Sequence, residues 1–75
     1  MKFVKVQDGY LNIRRIVYVR IMLRSFEGCK FFMVVFHVSD DPRGPYFIYD
    51  EYSDLSDAED AMYSLVCGLN REVEQ

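Results

Sequence analysis

A chain of 75 residues that is 51% hydrophobic and 16% aromatic makes one folded domain, and this composition excludes intrinsic disorder. The net charge of −3 conceals a split: residues 1–30 carry seven Lys/Arg against two acids, and residues 31–75 carry two against ten. The acidic balance, with a pI near 4.9, argues against a general polyanion binder, and a chain that presents one basic and one acidic patch is built for contacts more than for catalysis.

The first segment, Lys2 to Val6, reads as a short strand, and Asp8-Gly9 is a turn signal before a second extended segment over 10–13. The opening residues hold charges and no long apolar stretch, so no signal peptide is expected. The longest apolar run, Phe31 to Phe36, is too short to span a bilayer. A cytoplasmic location is the expectation, host cytoplasm if the protein is phage-encoded, with Cys29 and Cys67 reduced.

Residues 16–24 alternate as a strand, with Val17, Val19, Ile21 and Leu23 on one side and Tyr18, Arg20, Met22 and Arg24 on the other. Glu27-Gly28 is the next turn. The strand over 30–38 is apolar on both faces, with Phe32, Val34, Phe36 and Val38 opposed to Phe31, Met33, Val35 and His37, which predicts a central position covered on both sides. Ser39 to Pro45 is a loop by its two prolines, glycine and aspartates, and 46–52 is an aromatic strand.

Residues 56–69 predict a helix, opened by a capping box of Ser56 and Glu59 and striped by Ala58, Ala61, Met62, Leu65, Val66 and Leu69. The helix is expected to end near Gly68 or Asn70. The fold class is therefore α+β, an antiparallel sheet of four to five strands with one C-terminal amphipathic helix on one face, all within a single domain of residues 1–75. One helix stripe covers one sheet face. The other face, bearing Tyr18, Met22, Phe31, Met33 and Val35, is predicted to bind a second copy or another macromolecule.

Catalytic patterns are missing. His37, the single histidine, sits in a strand with no nucleophile spaced to face it, and reads as structural. Cys29, His37 and Cys67 do not form a zinc pattern, and there is no glycine-rich phosphate loop. Asp40-Asp41 and Asp50-Glu51 lack the spacing of a calcium loop and read as solvated charges. No enzyme activity, metal or cofactor is expected.

Two surfaces remain as candidates. Asp40, Asp41, Asp50, Glu51, Asp54, Asp57, Glu59 and Asp60 form an acidic stretch able to dock on a basic protein groove. Arg20 and Arg24 with Tyr18 and Phe31 could track a phosphate backbone while the aromatics stack on bases. In element order, a curved sheet followed by a helix is similar to the transcriptional positive cofactor four and Whirly single-strand binders, which implies a nucleic-acid-binding homodimer.

A short acidic chain opening Met1-Lys2-Phe3-Val4-Lys5, with an antiparallel sheet and a late acidic helix, resembles phage anti-CRISPR and related anti-defence proteins. That resemblance implies a stoichiometric inhibitor of a host defence or nucleic-acid-handling complex. The leading expectation is thus a non-enzymatic protein-binding module acting through its acidic surface and uncovered sheet face, with no membrane contact. A homodimeric single-strand binder is the alternative.

Overall fold

The computed structural model describes residues 2–41 and 43–74, with side chains placed through Arg71. Among these residues five strands and one α-helix follow in order: β1 (Phe3–Val6), β2 (Gly9–Asn12), β3 (Tyr18–Phe26), β4 (Cys29–His37), β5 (Tyr46–Tyr52) and α1 (Leu55–Glu74). The class is α+β with antiparallel pairing throughout. The strands do not form one sheet, however. β3, β4 and β5 make a three-stranded sheet in that order, and β1 with β2 make a separate hairpin.

The hairpin is attached mainly through side chains. Its strands are four residues long, and Gly9 closes the turn at φ 146°, where a side chain would be strained. One backbone bond, from the Gln7 N–H to the Ile48 carbonyl at 2.9 Å, ties it to β5. Val6 and Leu11 instead bury themselves against Phe36, joined by Val4, Ile16, Val19, Phe47, Tyr49, Leu65 and Leu69. Apolar burial of this kind, about 25 cal/mol per Å², anchors a hairpin too short to hold itself.

The extended segment ends at Asn12, one residue earlier than expected. The Asn12 side chain accepts from the Arg14 N–H at 3.0 Å and opens a short 3-10 turn over Ile13–Arg15. β3 accordingly starts at Tyr18 instead of residue 16, and runs on to Phe26. Glu27 and Gly28 alone form the turn, with φ of 51° and 81°, the two left-handed residues of a type I′ hairpin loop.

The helix is longer than its caps suggested. The Asp54 carbonyl accepts the first helical bond from the Ala58 N–H at 3.1 Å, so Asp54 takes the cap position and Ser56 lies inside the first turn. At the other end the helix continues through Gly68 and Asn70 to Glu74. Leu65 and Leu69 pack on the core there, and that burial outweighs the roughly 1 kcal/mol that an interior glycine costs.

Helix and hairpin core residues meet the same side of the sheet, the side of Val19, Phe36 and Phe47. Among the described residues no helix and no strand packs on the other side.

Candidate functional site

The β3–β4 register collects the uncovered face. Tyr18 lies opposite His37, Arg20 opposite Val35, Met22 opposite Met33, and Arg24 opposite Phe31. On β5, Tyr46, Ile48 and Glu51 pair with His37, Val35 and Met33, on either side of a bulge after Ile48. All five residues expected on the second face, Tyr18, Met22, Phe31, Met33 and Val35, therefore share it with Arg20 and Arg24.

Their exposure differs. Met33 and Val35, on the central strand, are 4% and 0% exposed. Longer side chains from β3 and β5 close over them, so the face presents half-buried Tyr18, Arg20, Met22 and Phe31 with exposed Arg24, Tyr46 and Glu51. The central strand is thus covered on this side by its neighbours and not by another layer.

His37 is the focus of the face. Its ring is 0% exposed, stacked parallel on Tyr18 with centroids 4.3 Å apart, and flanked by Tyr46 at 5.9 Å. The Arg20 Nε–H donates to His37 Nε2 at 2.8 Å. Nε2 must then be unprotonated, so the neutral ring carries its proton on Nδ1, a buried atom with no hydrogen-bond partner among the described residues. Burial first, and the Arg20 guanidinium second, hold the pKa below the ordinary 6.5. An imidazole sealed beneath tyrosines, with its lone pair already engaged, is in no position to serve as a base.

Arg24 faces Glu51 across β4 at 4.0 Å, with both side chains over a third exposed. Such a pair contributes well under about 1 kcal/mol and leaves the guanidinium free to exchange partners. With Arg20, Arg24 and Glu51 the face carries a net positive charge within an acidic chain.

The acidic residues divide into two groups. Asp40 and Asp41 follow β4, beside the His37–Tyr46 end of the sheet. The Asp41 carboxylate accepts from the Arg43 N–H at 2.9 Å, and the Asp41 N–H donates to Ser39 Oγ at 3.1 Å, so Asp41 shapes its own loop. Asp50, Glu51, Asp54, Asp57, Glu59 and Asp60 gather at the opposite end, where Tyr52 pairs with Phe32 and the helix begins. Five strand steps, about 17 Å, separate the ends. At that far end, burial first, then Asp50 and Tyr49, push the Tyr52 phenol above its ordinary 10.0.

Sequence reasoning missed two features. One is the Arg20–His37–Tyr18 cluster, for which the i to i+17 separation gave no local signal. The other is an open, largely apolar groove of about 520 Å³ between β1 and the C-terminal half of α1, lined by Phe3, Val4, Leu65 and Leu69 with Lys2 at its margin. Its two hydroxyl-bearing residues, Tyr49 and Ser64, have no histidine beside them in the lining, His37 being on the other side of the sheet. Among the described residues no group of three His, Cys, Asp or Glu could hold a metal ion, and no helix is long and apolar enough to cross a membrane.

Comparison with family models, with curated proteins and with solved structures gave no match.

Proposed function

We propose that the chain is a small non-enzymatic protein-binding module whose contact surface is the uncovered face of the β3–β4–β5 sheet. The observation that carries this reading is the one-sided packing of the fold: helix and hairpin share one face, and the other keeps two arginines set among Tyr18, Met22, Phe31 and Tyr46. Arginine and tyrosine are the residue types that anchor protein interfaces. The positive charge of this face fits a partner surface that is acidic and partly apolar. The engaged state of His37 supports the non-enzymatic part. The acidic chain at the start of α1 is a second contact region within the same proposal. The inhibitor role implied by the anti-defence resemblance also falls within it, and rests on size, charge and element order.

Single-stranded nucleic acid is the weaker reading. Affinity for a phosphodiester chain comes from several simultaneous cationic contacts, whereas this face offers two arginines beside one glutamate, and the whole chain is at −3.

The test is capture from a lysate by tagged wild-type chain, with nuclease and across a salt series, run beside Arg24→Glu, Phe31→Ser and Tyr63→Glu. Tyr63 is 73% exposed on the helix, away from the face. A protein retained by wild type and Tyr63→Glu but lost from both face variants is the expected result. Capture indifferent to the face variants, or capture abolished by nuclease, would overturn the reading.

A further inference from the structure

The sheet has one open edge as well as one open face. β5 is bordered by the hairpin through Gln7, while β3 is the outer strand on the other side, nine residues long. The direction of its unpaired groups follows from the turn. In a two-residue type I′ hairpin the flanking pair, here Phe26 and Cys29, is hydrogen-bonded, and bonded and non-bonded pairs then alternate. Tyr18, Arg20, Met22, Arg24 and Phe26 therefore turn their backbone groups toward β4. Val19, Ile21, Leu23 and Ser25 turn theirs outward, and among the described residues nothing pairs with them. The strand has no proline and no bulge between Tyr18 and Phe26, its two charges, Arg20 and Arg24, both lie on the uncovered face, and Leu23 on the helix side is 58% exposed.

We infer that β3 pairs antiparallel with β3 of a second copy, Ile21 opposite Ile21, to give a continuous six-stranded sheet. A second copy brings an edge with the same unpaired groups, and the charge pattern of the strand discriminates among the registers in which the two can pair. Outward residues must pair with outward residues, so few registers exist. Placing Ile21 opposite Leu23 sets Arg20 directly against Arg24 twice, and placing Val19 opposite Ile21 sets Arg20 against Arg20; both put like charges face to face. Centring on Leu23 avoids this, but lies half on the stretch beyond Leu23, where only β4 backs β3.

Centring on Ile21 sets Val19 against Leu23 on the helix side. On the other side it sets Arg20 against Met22 and Arg24 against the ring of Tyr18. About six backbone hydrogen bonds form across the axis. The two-fold axis is normal to the sheet, so both helices lie on one side and the two uncovered faces join into one. This contact uses the strand edge, and it stands whether or not the face binds another protein.

The experiment is sedimentation analysis across a concentration series up to the solubility limit, with wild type, Leu23→Pro and two cysteine variants made with Cys29 and Cys67 replaced by serine. Proline at 23 removes an outward N–H that the β3–β4 ladder does not use. Wild type is expected at twice the 8.9 kDa chain mass, and Leu23→Pro at the single mass with unchanged circular dichroism. Ile21→Cys is expected to cross-link on oxidation, since Cα atoms of a hydrogen-bonded pair lie about 5.5 Å apart, within disulfide reach. Leu23→Cys is expected to remain uncross-linked. Wild type at the single mass throughout, or cross-linking at Leu23→Cys and not at Ile21→Cys, would overturn the inference. If Leu23→Pro fails to fold, the cysteine pair alone decides.

Discussion

Mild acid should weaken this fold through a single residue. The chain has one histidine, and its ring is held neutral by burial and by the Arg20 guanidinium. In the unfolded chain the same ring titrates near 6.5. Below that value the unfolded state therefore binds more protons than the folded one, and stability falls as pH falls; above it the effect is fully relieved. One proton sets a maximum slope of about 1.4 kcal/mol per pH unit. Between pH 7.5 and 5.5 the loss is at most about 1.4 kcal/mol, the limit in which the folded ring never charges.

His37 lies under one layer of side chains and not in a deep core, so the loss falls short of that limit. Against a total near 4–11 kcal/mol for a chain of this length it remains measurable. Urea unfolding at pH 7.5, 6.5 and 5.5 should show the midpoint falling by some tenths of a molar. His37→Gln should flatten the dependence over this range, whatever its effect on stability at pH 7.5. A slope that persists in His37→Gln, or a wild type that gains stability on acidification, would refute the reasoning.

Other outcomes follow from particular contacts. Phe36→Ala empties the centre of the sheet, where the ring is 0% exposed and meets Tyr49 edge-on at 5.8 Å; a loss of about 3–5 kcal/mol is expected by thermal or urea unfolding. Glu27→Asn relieves a bulky residue held at φ 51° in the hairpin turn, and should raise stability by up to about 1 kcal/mol in the same assay. Tyr52 has a raised folded pKa, so its contribution is intact below pH 10 and is lost as the unfolded phenol ionises above it. Tyr52→Phe should therefore soften the decline in stability on raising the pH through 10 and beyond.

Much of this architecture was legible because periodicity is local. The alternation in β3 and β4 assigned each residue's face correctly, and the register then assembled Tyr18, Met22, Phe31, Met33 and Val35 side by side. The stripe ending in Leu65 and Leu69 named the buried side of the helix. Boundaries failed where a short-range hydrogen bond or a packing contact overrode them: Asn12 closes β2 early, Asp54 displaces Ser56 as the cap, and Leu69 carries the helix past Gly68. Neighbour relations were not legible. Nothing in Lys2 to Asn12 says that this hairpin will pack by side chains on the helix side and not extend the sheet. The acidic run looked like one patch in sequence, and topology sends Asp40 and Asp41 to one end and the rest to the other. The cover that Arg20 and Tyr18 give His37 is a tertiary fact that strand spacing cannot encode.

The measurement that tests the sheet as the interacting element most directly is amide hydrogen exchange along β3, resolved by residue and repeated on dilution. The amides of Arg20, Met22 and Arg24 bond to β4 and should stay protected at every concentration. Those of Val19, Ile21 and Leu23 should be protected when the protein is concentrated and exchange freely when it is dilute, because a second copy is what covers them. Outward amides that exchange freely at all concentrations, or protection that does not alternate along the strand, would contradict the account.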